Sequence, residues 1–177
     1  MKANSSFQPL IHYFESNLPH NMGANDSPIT TRSIVTDYFD WRLNNRTIIN
    51  NRLLLIVRRI ASEAEAACRS QRSTLNFHFT CSPIDSQTLN NIREIHHEIA
   101  KELFNDGTIS WSRIITLISF SALLAEHAIQ RQTDNTSNNL IISSFIDWTT
   151  EFIDTEFQTW LESQNYWVRQ KNRKFVL

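Results

Sequence analysis

An all-α protein is the fold class this sequence predicts, and three observations carry it. Glycine and proline are scarce, two and four among 177 residues, well below what strands joined by tight turns need. Apolar residues recur at helical spacing in most segments. One stretch, Ile114 to Ala125, is apolar except for Thr116, Ser119 and Ser121, whose hydroxyls can bond back to a helix backbone. A helix apolar all round must be wrapped by other elements. At about 18 Å this stretch falls short of the roughly 20 residues that cross a bilayer. The expectation is about seven or eight mostly short helices around a central buried helix at about 111–130.

The chain divides into a poorly defined segment 1–28, a helical domain 29–170 and a basic end 171–177. Phe7 to Asn17 could form a short helix confined by Pro9 and Pro19, and Asn21 to Pro28 reads as loop. Ser27-Pro28 offers an N-cap with proline at the first helical position. Ile34, Tyr38 and Trp41 then share a face, giving an apolar stripe to about Leu43. After a polar link from Asn44 to Asn51, Leu53, Val57, Ile60, Ala64 and Cys68 repeat at helical spacing. Leu75, Phe77 and Phe79 alternate like a strand, but a strand with no partner elsewhere is implausible, so an irregular or helical turn is expected.

Ser82-Pro83, with Asp85 near N3, starts the next helix. Its buried face runs through Leu89, Ile92, Ile95, Ile99 and Leu103 to an end near Phe104. The Asp106-Gly107 turn leads into the central helix, and Thr133 to Asn139 reads as a polar loop. Ile141, Phe145, Trp148 and Phe152 mark a long amphipathic helix. Phe157, Trp160 and Leu161 follow in a second phase, predicting a break near Asp154–Glu156.

The formal net charge is −1, with no concentrated basic face, so nucleic acid is not an expected partner. Cys68 and Cys81 lie 13 positions apart with no secretory signal, which favours reduced cytosolic thiols over a disulfide. His96 and His97 point about 100° apart on a helix and lack metal-ligand spacing. No catalytic triad order, phosphate loop or paired-carboxylate site is present. Neither an enzyme nor a cofactor or metal is therefore expected. Trp111, Trp148, Trp160 and Trp167 read as core packing.

Glu102-Leu103-Phe104, Asp106-Gly107, Trp111 and Arg113, followed by the apolar helix, resemble the first homology motif (BH1) of the Bcl-2 family of apoptosis regulators. The interval between Gly107 and Trp111 is one residue longer than the family's usual spacing, and Ser112 replaces a glycine. Trp160-Leu161-Glu162-Ser163-Gln164-Asn165-Tyr166-Trp167 resembles the second motif (BH2). Asn165 and Tyr166 stand where the family has glycines. Val57 to Glu63 resembles a degenerate BH3 motif, with Ala61 for glycine and Ser62 for aspartate. Thr31 to Tyr38 is similar to the N-terminal BH4 helix.

The resemblance implies a Bcl-2-like bundle whose surface groove receives the amphipathic BH3 helix of a partner, by helix-in-groove recognition. It implies that Ile99, Glu102 and Leu103 line the floor and wall, and that Ser110, Thr116 and Phe120 continue the site. Val57, Ile60, Ala61 and Ala64 would lie on the opposite side. Arg113 would meet the aspartate of the incoming helix as a charge-assisted pair. The implied partners are BH3-containing pro-apoptotic proteins, Bax/Bak-like and BH3-only. Ser62 makes the chain's own BH3 segment a poor ligand, which favours inhibition of cell death. Alternatives are a Bax/Bak-like effector that permeabilises the mitochondrial outer membrane, and a helical enzyme or scaffold unrelated to apoptosis. The expected location is the cytosol and the cytoplasmic face of that membrane. The basic run before Phe175-Val176-Leu177 reads as the approach to a membrane anchor beyond residue 177.

Overall fold

A computed structural model describes residues 29–45, 51–70, 86–130, 136–164 and 166–167. Among the described residues there are six helices and no strand. They are α1 (Thr31–Asn44), α2 (Arg52–Ser70), α3 (Ser86–Leu103), α4 (Trp111–Ile129), α5 (Thr136–Glu156) and α6 (Gln158–Ser163). The expected Phe7–Asn17 helix, the Ser27-Pro28 and Ser82-Pro83 helix starts, the Leu75–Phe79 segment and residues 171–177 lie outside the described residues.

α4 is the central helix. It packs against α1, α2, α3 and α5, and Ile114, Leu117, Ile118, Ala122 and Ala125 are buried on it. Each buried Leu or Ile side chain contributes about 1.5–3 kcal/mol relative to exposure. The expectation that this element is too short to span a membrane does not hold. Its 19 residues are long and apolar enough by length and composition, with 67% of the apolar window buried. Burial, rather than length, is what marks it as a core helix. As anticipated, Thr116, Ser119 and Ser121 donate to backbone carbonyls of the preceding turn, at 2.8, 3.0 and 2.8 Å.

α1 begins at Thr31. Thr30 caps it by accepting from the Ser33 N–H at 3.1 Å, while Ser33 Oγ accepts from the Thr30 N–H at 3.0 Å. This is a capping box closed by a serine. Ile34, Val35, Tyr38 and Phe39 are its buried apolar face. α5 likewise begins at Thr136, inside the stretch expected to be loop. The anticipated phase break falls after Glu156, where Phe157 separates α5 from α6.

Charged pairs fasten α1 to its neighbours. The Tyr38 hydroxyl donates to Glu65 Oε1 at 2.6 Å, and Arg42 Nε donates to Glu65 Oε2 at 2.9 Å. Arg42 Nη2 reaches Glu126 of α4 at 2.9 Å. Arg58 of α2, only 6% exposed, donates twice to the Asp37 carboxylate, at 3.0 and 2.8 Å. Its guanidinium also lies 5.3 Å from the centroid of Trp41, a cation–π distance.

The aromatic residues of the two tryptophan motifs meet. Trp111 packs edge-on against Trp160 at 4.8 Å and tilted against Trp167 at 4.5 Å, centroid to centroid. The indole N–H of Trp167 donates to Thr31 Oγ1 at 3.0 Å. One aromatic cluster therefore ties the starts of α1 and α4 to α6 and the residues that follow it.

Candidate ligand-binding groove

The junction between α3 and α4 is built by a turn and a cap. Gly107 has φ 73°, a left-handed conformation that glycine adopts without steric cost. The Thr108 N–H donates to Asp106 Oδ1 at 2.9 Å, which closes an Asx turn. Ser110 is the N-cap of α4, accepting from the Arg113 N–H at 3.4 Å, and its hydroxyl lies 2.9 Å from that of Ser112. Ser112 is buried where the motif has glycine, so its polar atom is satisfied by the cap.

Arg113 sits in the first turn of α4 and reaches back across the junction. Nη1 donates to Asp106 Oδ1 at 2.5 Å, to the Leu103 carbonyl at 3.3 Å and to the Thr108 carbonyl at 3.2 Å. Nη2 donates to Asp106 Oδ2 at 2.7 Å. A cation near a helix N-terminus is disfavoured by the helix dipole, and the Asp106 carboxylate compensates for it. In return, hydrogen bonding from Arg113, helped by the Thr108 N–H, holds the Asp106 carboxyl well below the usual carboxylate range.

Five of the groove residues implied by the sequence flank this junction on α3 and α4, where the hydrogen bond from Arg113 to the Leu103 carbonyl joins the two helices. Ile99 and Leu103 on α3, and Arg113, Thr116 and Phe120 on α4, are all half-buried. The Thr116 hydroxyl is bound to the Ser112 carbonyl at 2.8 Å, leaving its methyl as the apolar part. Glu102 is exposed and accepts from Asn105 at 3.3 Å.

The α2 side departs from expectation. Val57, Ile60, Ala61 and Ala64 are at most 3% exposed. They form the face that α2 turns inward as it packs against α4, so as arranged here they belong to the core and not to an open wall. Leu55, Arg59 and Ala66 are the exposed residues of that helix near them, with Ile56, Ser62 and Glu63 half-buried.

Sequence reasoning assigned Asp106 to the turn alone and missed it as the partner of Arg113. Opposite charges seven residues apart across a DG turn were the available signal. The pairs made by Glu65 and Asp37 had none, because each depends on how distant helices dock. His96 is a buried, hydrogen-bonded core residue, and His97 is exposed. His96 Nε2 lies 2.8 Å from Ser121 Oγ and 3.3 Å from Thr149 Oγ1, with Phe145 packed edge-on against its ring. Burial, with a smaller effect of His97, pushes the His96 imidazole down to about 4.

Comparison with known proteins agrees with this architecture. A family model described as apoptosis regulator proteins of the Bcl-2 family matches residues 56–167. Apoptosis regulator BAX of Bos taurus is 27% identical over 75 residues, covering 42% of this chain and 36% of that protein. The chain thus matches well under half of that relative's length. Anti-apoptotic protein NR13 of Coturnix japonica is 23% identical over 137 residues, 77% of this chain and 71% of that one. A zebrafish pro-survival protein, NRZ, solved in complex with Bad BH3, superposes with a TM-score of 0.59 at 19% identity, covering 77% of this chain and 86% of that one. With its central helix, paired tryptophan motifs and DG turn in that arrangement, the chain belongs to the Bcl-2 family of apoptosis regulator proteins.

Proposed function

We propose that this protein captures the amphipathic BH3 helices of pro-apoptotic partners and thereby restrains cell death. The observation that carries the proposal is a half-buried cation, Arg113, that reaches from α4 to the Leu103 carbonyl of α3, with Ile99, Leu103 and Phe120 half-buried on the same two helices. Half-buried apolar side chains beside a fixed guanidinium suit an amphipathic helix with an acidic residue on its apolar face. The structural neighbour NRZ, in complex with Bad BH3, supports this class of ligand. Ser62 in place of an acid, together with the likeness to anti-apoptotic NR13, supports the inhibitory direction.

The second reading is an effector that permeabilises the mitochondrial outer membrane. The likeness to BAX and the span-length apolar α4 favour it. Dye-loaded liposomes of mitochondrial lipid composition separate the two readings. An inhibitor binds BH3 peptides and suppresses release driven by an added effector. An effector releases dye itself when activated. On the first reading the site of action is the cytosol and the cytoplasmic face of the mitochondrial outer membrane, which fractionation of cells expressing the tagged chain tests.

A further inference from the structure

We infer that Asp106 is a built-in competitor for the carboxylate position on Arg113, and so sets how far the groove favours an acidic ligand residue over a neutral one. The inference rests on the groove function proposed above. Both terminal nitrogens of the guanidinium are already engaged by the Asp106 carboxylate, at 2.5 and 2.7 Å. That two-pronged geometry is the one a ligand carboxylate would use. The Arg113 side chain is 11% exposed and that of Asp106 51%, so the carboxylate is the more solvent-accessible member of the pair. The Leu103 and Thr108 carbonyls also accept from Nη1.

An arriving carboxylate therefore has two routes. It can displace Asp106, whose half-exposed side chain can be taken up by water. It can also share the guanidinium with Asp106, which brings like charges together. Either route removes part of the gain that an isolated arginine would give an acidic ligand. A neutral ligand residue at the same place does not compete with Asp106 and loses nothing. Residue 106 is thus a specificity-determining position, because selectivity is a difference between two affinities. Asparagine at 106 keeps an oxygen that can accept from the Thr108 N–H, so the turn is retained while the competing charge is removed.

The test is a titration of the chain with two synthetic Bad BH3 peptides that differ only in aspartate versus asparagine at the anchoring position. Wild type, Asp106→Asn and Arg113→Ala are compared, each checked for fold by circular dichroism. Asp106→Asn is expected to tighten the aspartate peptide by about threefold to fivefold, leave the asparagine peptide within about twofold, and so widen the preference. Arg113→Ala should abolish the preference. A weaker aspartate peptide on Asp106→Asn would overturn the inference, since Asp106 would then be positioning Arg113 and not competing for it. Equal shifts of both peptides, or none, would overturn it as well, with the groove function intact. Failure of both peptides to bind wild type would overturn the groove function and the inference together.

Discussion

Acidification should cost this protein folding stability through His96. Its imidazole is 2% exposed, between the Ser121 and Thr149 hydroxyls and the rings of Phe145 and Trp148. Burial lowers its pKa from 6.5 to about 4 in the folded chain. The unfolded chain then binds a proton as pH falls below 6.5 and the folded chain does not. Stability is retained above that value and lost progressively down to about 4. Between pH 7 and pH 5 the loss from this residue comes to about 2 kcal/mol. Carboxylates titrate over part of the same range, so the assay is a difference measurement. Urea unfolding of wild type and His96→Gln is compared at pH 7 and pH 5, and the variant should show the smaller acid loss by about that amount. Identical losses in the two proteins would refute the inference that His96 is held neutral by burial.

Two further outcomes follow from the packing. Glu65→Ala removes the shared acceptor of Tyr38 and Arg42 and should cost about 3 kcal/mol in chemical unfolding. A cost under about 1 kcal/mol would mean that the pair behaves like a surface contact. Tyr166 holds φ 52°, a conformation that L side chains pay to adopt. Replacement by the family's glycine should raise the melting temperature by roughly 2 °C, and a fall in calorimetry would contradict that strain.

What the sequence made legible was local. The period of α2 and α5, the apolar α4 and the break after Glu156 can each be read from a window of a dozen residues, whereas Ile95, expected on the buried face of α3, is 38% exposed. Thr136 to Asn139 was misread because its polar side chains resemble a loop, although the stretch forms the first turn of α5. The motif residues Trp111, Trp160 and Trp167 read as packing residues, and the structure packs their rings against one another. The burial of Val57, Ile60, Ala61 and Ala64 could not be read, because helical spacing shows that a face is apolar but not what covers it. Only the docking of α2 on α4 turns that face inward. The ion pairs of Glu65 with Arg42 and of Arg58 with Asp37 were illegible for the same reason, since their partners lie 23 and 21 residues away on another helix.

One binding measurement directly tests Arg113 as the proposed charge anchor of the groove. Wild type and Arg113→Ala are titrated with a BH3 peptide carrying its aspartate, with circular dichroism confirming that both are folded. The expected result is measurable binding by wild type and a loss of about 2 kcal/mol in the variant. That value sits at the low end of what removing a partner from a buried charge costs, because Asp106 already occupies the cation. Equal affinity in the two folded proteins would contradict Arg113 as the anchor, and no binding by wild type would contradict the groove itself.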